Sequence, residues 1–538
     1  MAIRIANLRM GVDEPEATLA AHLARALGVR VDELTSWRIL RKSLDARVKA
    51  DLHFVYSAEV SVPADEDRLI ALARKKSSRD IHIDSYREQP YALPPAGDRP
   101  LEHRPVIIGS GPAGLVAGYF LAKQGYLPLI LERGPPVHQR VRDVQAFDAG
   151  GPFNPESNYL FGEGGAGTFS DGKLTCRGSG PEVRRVLELF AECKGKPSIL
   201  YDYRPHLGSN RLPAMVKALR RAIQAMGGEI RFGCRAEDLD LDEGRVRGLA
   251  TSSGFIPAEV VLVAIGHSAR DTLNMLVRRG MPMEPKPFQM GVRIEHPQEI
   301  VNRVKYGQAK LEEKLGAADY GLVARGPNDL FTFCMCAGGH VIPSVSEPGF
   351  FCTNGMSLSG RDSPFANSGL VVTVPVSAFL GQDLLAGVRL QQEYEGKAFA
   401  LGRGEYLCPI QNARDFLARR ATQRLPASSY PRGLVLARME EVVPPLIIEA
   451  LRHGLPALNR RWQGRFLSQA TLVGPEARGS SPVRMVRDDE TRQSPGLTGL
   501  YPVGEGAGFA GGIVSAAVDG LRTAAAIVRA YAPLHAAG

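Results

Sequence analysis

Apolar and polar residues alternate in IRIANLRM (residues 3–10), RVKADLHFVYSAEVSV (47–62) and DIHIDSY (80–86), the period of half-buried strands. Between them, EATLAAHLARALG (16–28) and EDRLIALARKK (66–76) repeat apolar residues at helical spacing. The pattern predicts a small N-terminal unit in β-α-β-β-α-β order, the ferredoxin-like order, over residues 1–95. A proline-rich stretch, EQPYALPPAGDRP (88–100), predicts the boundary after it.

The next segment, RPVIIGSGPAGLVAGYFLAKQGYLPLILERG (104–134), predicts strand, glycine turn, helix, strand and an acidic end. A helix follows at 211–228, with Leu212, Met215, Val216, Leu219 and Ile223 as its core face, and then short alternating strands through 229–266 with turns at 242–244 and 253–254. Residues 281–470 read as a mixed α+β insertion, with extended pieces such as GLVVTVPVSAF and helices such as QQEYEGKAFALG. The fold class expected is α/β: a dinucleotide-binding domain split between 101–280 and a C-terminal return at 471–538, with the insertion as substrate domain.

Composition changes this picture little. The 538 residues are 44% hydrophobic and 23% charged, ordinary globular material long enough for two or three domains. A net charge of +9 favours anionic ligands without specifying nucleic acid. Arg38, Arg41, Lys42, Arg47 and Lys49 form one basic cluster, but Asp45 and Asp51 interrupt it, so a solvated strand pair is preferred to an RNA surface. No signal pattern or membrane-length apolar run is present, which predicts a cytoplasmic protein without membrane contact. Seven irregularly spaced cysteines fit a reducing compartment, and no metal-ligand spacing occurs.

Chemistry concentrates in two glycine clusters. Gly109, Gly111 and Gly114 form GxGxxG between an apolar strand and a helix that starts at Pro112 and Ala113. Such glycines permit a tight turn, close approach of a pyrophosphate, and close helix–strand packing. Glu132, followed by Arg133, ends the next strand where a carboxylate can accept from ribose hydroxyls; Gly118 and Gly125 extend the small-residue pattern along the helix. This cluster does not decide between FAD and NAD. The second, YPVGEGAGFAGGIVSAAVDG (501–520), does: a flavin reaches far from its adenosine end, and a distant segment must return to hold it. Gly504, Glu505, Gly511, Gly512 and Ile513 supply an acidic turn and a helix N-terminus for that purpose.

These clusters, with VVLVAIGHSARDT (260–272), resemble the glutathione reductase-like two-dinucleotide-fold flavoproteins. More narrowly, ESNYLFGEGGAGTFSDGKLTCR, PFQMGVRIEHPQ, TFCMCAGGHVIPSVSEPGFFCTNGMSLSGRDSPFANS and ARGSSPVRMVRD resemble bacterial FAD-dependent oxidoreductases called NAD(FAD)-utilising dehydrogenases. The resemblance implies non-covalent FAD, with Gly164, Gly165, Thr168, Ser170 and Lys173 beside the isoalloxazine ring and Gly266 also at the cofactor. No histidine stands in the 162–173 loop, which argues against a covalent histidyl link. No second GxGxxG unit marks a nicotinamide domain, so NADH or NADPH, as candidate donor, would enter through the substrate cleft.

Candidate catalytic groups are Arg293 and His296, then Arg478 and Arg484 with Ser480 and Ser481 nearby, as binders of a substrate carboxylate or proton donors. Cys334 and Cys336 are either a redox pair or two buried thiols. His267 reads as structural. The reaction expected is hydride transfer at flavin N5 to or from a small molecule; the alternative is a flavoprotein of RNA modification or redox sensing whose N-terminal unit binds RNA or a partner protein.

Overall fold

The computed structural model describes residues 2–534, apart from 64, 77–79, 177, 179, 308–310, 380 and 382. Strands Ala2–Gly11, Ser36–Asp45, His53–Ser61 and His82–Tyr86 form one antiparallel sheet, in which Ala2–Gly11 lies between His53–Ser61 and His82–Tyr86, and Ser36–Asp45 is an edge. Helices Leu19–Leu27 and Glu66–Lys76 belong to the same unit, and Ile3, Ile5, Leu19, Leu23, Ile70 and Ile83 share its core. The edge strand docks on the body of the molecule: Lys42 N donates to Tyr201 O (2.8 Å) and Tyr203 N to Lys42 O (2.9 Å).

Most of the basic cluster is paired within the chain. Arg41 stacks 4.4 Å from the Tyr203 ring centroid, Lys42 pairs with Glu16, Arg38 with Glu59 and Glu88, and Arg47 with Asp45. Four of the five cations therefore face acids or an aromatic ring of the chain itself.

Five short parallel strands make the central sheet, in the order Leu500–Pro502, Val261–Val263, Val106–Ile108, Leu129–Glu132, Glu229–Phe232. Period-two alternation separates its faces. Ile107, Ile130 and Leu262 pack with helices Pro112–Lys123, Leu212–Ala225 and Ile513–Ala530, whereas Val106, Ile108, Leu131 and Val263 pack with the antiparallel strands Ala236–Asp242 and Arg245–Thr251. The architecture is a mixed α/β fold with a Rossmann-like domain. Helix Ile513–Ala530 lies on Pro112–Lys123 so closely that a Cβ on Gly520 would stand 2.2 Å from Ala113 O. This contact joins the two glycine clusters.

A seven-stranded mixed sheet carries the rest, in the order Val323–Ala324, Leu330–Cys336, Phe365–Val374, Phe288–Pro297, Thr471–Glu476, Cys408–Asn412, Leu434–Leu436. Helix Pro445–Arg461 covers it through Ile447, Leu451, Leu455 and Leu458. The chain then returns: Val483–Met485 pairs with Met283–Pro285, and Leu500–Pro502 rejoins the parallel sheet. Among the described residues no helix is long and apolar enough to cross a membrane.

Candidate functional site

One cavity of about 400 Å³ runs from the first glycine turn to the second. At its first end Gly109 has φ +105°, and a Cβ there would lie 2.5 Å from Ala264 O. Gly114 is closed by packing, since its Cβ would come within 2.0 Å of Gly109 O. Gly111, by contrast, has nothing within 4 Å of a built Cβ and faces the cavity with Pro112 and Ala113. The helix begun there has Gly111 as N-cap and no side-chain cap, so its first amides are open to an anion. Gly118 packs against Ile130, but Gly125 lies beyond the helix end in a turn at φ +81°, which corrects the expectation that it extends the packing stripe.

Glu132 lines the cavity, and its carboxylate accepts four hydrogen bonds from the protein. Oε2 accepts from Ser110 N (3.1 Å) and Ser110 Oγ (2.5 Å), and Oε1 from Gly134 N (2.9 Å) and Gly162 N (3.0 Å). It thus ties the first turn to the glycine-rich loop. Arg133 pairs with Glu156 and Asp271 and lies 4.2 Å from the Phe161 ring centroid.

The glycine-rich loop is wrapped around Arg140, a residue the sequence did not single out. Fully buried, Arg140 donates from Nε to Asn158 O (2.8 Å) and from Nη1 to Glu163 O (2.9 Å) and Gly165 O (2.8 Å). Burial lowers its pKa to about 9. Gly164 N donates to Ser110 O (3.0 Å), and Thr168 is buried with Oγ1 on Glu163 O (3.0 Å), so neither lines the cavity. Gly165, Ser170 and Lys173 do. Lys173 Nζ lies 3.1 Å from Asp171 Oδ2, and although burial opposes its charge, Asp171 keeps its pKa raised.

At the far end Gly511 and Gly512 leave open space toward the cavity, and Gly512 caps helix Ile513–Ala530 without a side-chain bond. Gly504 lies behind this wall, its N donating to Asp519 Oδ2 (2.7 Å), while Asp519 also binds Arg487. Glu505 faces the cavity and stands 3.5 Å from His267 Nδ1. Burial raises its pKa to about 7 against the pull of Lys286. Burial, with Arg478 and Arg270 nearby, lowers that of His267 to about 3, leaving a neutral ring whose buried Nε2 has no protein partner. Gly266, at φ +67°, opens the adjoining wall.

The candidate catalytic residues separate. Arg478 and Cys334 line the cavity. Arg293 and His296 do not, which corrects their assignment. Arg293 is fully buried and spends its donors on Asn367 Oδ1 (2.7 Å), Glu476 Oε2 (2.6 Å) and Cys334 O (2.7 Å). His296 sits among Tyr320, Trp462 and Phe466 with Nε2 on Phe466 O (2.7 Å), and burial lowers its pKa to about 4. Arg484 is exposed over Phe509, outside the cavity lining, and Cys336 lies behind Cys334, fully buried. Ser480 and Ser481 bond backbone groups of Gln289 and Val483. Arg478 is itself anchored on Glu395, which the sequence reading also missed. Among the described residues no group of three acidic, His or Cys side chains could hold a metal ion.

A family model described as FAD-dependent protein, C-terminal domain-like, matches residues 287–479, one described as FAD dependent oxidoreductase matches 203–326, and one described as NAD(P)-binding Rossmann-like domain matches 107–163. Residues 2–61 match a domain of unknown function. The chain is 38% identical over 536 residues to an uncharacterized protein of Clostridium beijerinckii, covering 99% of each, and the two belong to one family. Solved structures with fold likeness include an L-amino acid deaminase from Proteus vulgaris (10% identity, TM-score 0.34, 83% of this chain and 94% of that one). Another is the L-proline dehydrogenase of P. horikoshii (11%, TM-score 0.32, 80% and 92%).

Proposed function

We propose that this enzyme, which belongs to the FAD-dependent oxidoreductase family, holds FAD non-covalently along the cavity and exchanges a hydride with a small-molecule substrate. The single observation behind this reading is that one cavity joins two uncapped helix N-termini, at Gly111 and Gly512, with open glycine positions at both ends. That donor set suits a long ligand with a phosphate near one end and a negatively charged ring system at the other.

Bound FAD supplies a two-electron carrier whose N5 takes or gives hydride. The chain supplies the remainder. Gly111 would admit a pyrophosphate, the amides of helix Pro112–Lys123 would hold it, and Glu132 fixes the turn that would surround it. The N-terminus of Ile513–Ala530 favours negative charge at the other end. Glu505, with its pKa about 7, can hold or release a proton near neutrality, and Lys173 adds a cation to the cavity lining. NADH or NADPH is proposed as donor through this same cavity.

Anaerobic titration of the flavin-loaded protein with NADH and then NADPH tests the reading. Bleaching of the flavin bands at catalytic rates is expected with one of them. Bands that persist with both overturn the nicotinamide proposal, and the donor is then a different reductant.

A further inference from the structure

Cys334 and Cys336 lie on strand Leu330–Cys336, whose pairing with Phe365–Val374 shifts between Phe333 and Cys336. At two-residue spacing a regular strand holds Cα atoms near the limit for bridging. Here a bulge and a left-handed Cys334, at φ +45°, bend the chain. Non-glycine residues adopt that φ at a cost, and this one is held by Arg293, whose Nη2 donates to Cys334 O (2.7 Å). The bend turns Cys334 into the cavity and leaves Cys336 behind it, with Cys336 Sγ donating to Cys334 O (3.3 Å).

We propose that Cys334 and Cys336 are a redox-active dithiol opening on the cavity, which reduces a low-molecular-weight disulfide by thiol–disulfide exchange.

Two features of the pair support this. Cys334 is the attacking thiol: the neighbouring Cys336, together with the cations Lys173 and Arg293, overcomes burial and holds its pKa below the ordinary thiol value. Cys336 is pushed the opposite way by burial and stays protonated, as a resolving thiol does until its partner is modified. Of the five other free cysteines, only the buried Cys234 also lines the cavity, and it has no second cysteine beside it on that wall.

The exchange balances without further reactants. Cys334 Sγ attacks one sulfur of the external disulfide, and the other sulfur leaves as a thiolate. Cys336 then loses its proton, its Sγ attacks Cys334 Sγ, and the second small thiolate departs. The chain has lost two electrons and the small disulfide has gained them. Returning the pair to the dithiol calls on the reduced cofactor of the same cavity, and only in that clause does the proposal rest on the function proposed above.

The test uses pre-reduced full-length protein, oxidised glutathione as probe, and mass spectrometry under anaerobic conditions. The wild type is expected to become lighter by two hydrogens, located in the peptide that holds Cys334 and Cys336. Cys336→Ser is expected to stop as the glutathione adduct of Cys334, and Cys334→Ser to react roughly tenfold more slowly or less. A stable glutathione adduct on wild-type Cys334, or no reaction, overturns the proposal. Dithionite titration of the flavin-loaded protein, first oxidised with glutathione disulfide and then freed of it, gives a second readout: the wild type should accept twice as many electrons per flavin as Cys334→Ser. A yellow wild type that accepts only the flavin's own pair overturns the dithiol and leaves the flavin reading intact. A protein that takes up no FAD overturns the flavin reading, and the glutathione result then decides the dithiol alone.

Discussion

Arg478 and Glu395 meet as a bidentate pair, Nε to Oε1 at 2.9 Å and Nη2 to Oε2 at 2.7 Å, and both side chains are buried. Arg270 grips the other side of the same carboxylate at 2.8 and 2.9 Å. Arg478 thus reaches the cavity wall already paired, as a fixed part of that wall. Removing the shared acid strands two buried guanidiniums, so Glu395→Ala should cost roughly 3–5 kcal/mol of stability, measured by denaturant unfolding. Burial opposes ionisation of Glu395, but the two arginines outweigh it and lower its pKa from 4.5 to about 2. A depressed carboxylate stabilises the fold above its unfolded pKa. That contribution should disappear as pH falls from about 4.5 through 2, and the acid limb of the unfolding profile should flatten in the variant.

The two neighbouring glycines of the first turn should fail differently. Gly111→Val adds a side chain in open cavity space at φ −70°, so the melting temperature should hold while FAD affinity falls at least about tenfold. Gly114→Val drives a Cβ against Gly109 O and should lower the melting temperature as well. Thermal melts and FAD fluorescence titrations on both variants check this, and equal losses of stability would contradict it.

What the sequence made legible here was local. Gly109 and Gly114 do their work within one turn, and the apolar face of Leu212–Ala225 repeats within one helix, so residue type and spacing were enough to find them. Arg140 and Glu395 could not be found that way. Arg140 is defined by carbonyls 18 to 25 positions onward, and Glu395 by arginines at separations of 125 and 83. Arg293 and His296 misled for the complementary reason, because GVRIEHP looks like a polar loop and is a central strand buried from Gly291 to His296. Its partners, Glu476 and Phe466, are far along the chain. The order of the seven-stranded sheet was likewise beyond periodicity, which gives strands without their neighbours.

Glu505 should make stability depend on pH near neutrality. With its pKa raised from 4.5 to about 7 by burial, the neutral acid is the form the fold prefers. Stability is full below the unfolded pKa and falls as pH rises through 7. Because 25% of the side chain remains exposed, solvent in the cavity screens the effect. Without FAD, the melting temperature of the wild type should decline from pH 5 to 8 relative to Glu505→Gln; parallel curves would contradict the assignment.

His296 should prove structural. His296→Leu leaves Phe466 O without its partner inside an aromatic cluster and should cost about 1–3 kcal/mol, with flavin binding and reduction rate retained in the folded fraction. Loss of reduction at unchanged stability would restore it as a catalytic group.

The visible spectrum of the purified protein after incubation with FAD, followed by denaturation and filtration, tests the central claim most directly. The geometry of the cavity predicts flavin bands at one cofactor per chain, released intact as FAD when the protein unfolds. A protein that stays colourless, or one whose flavin remains attached after unfolding, would contradict it.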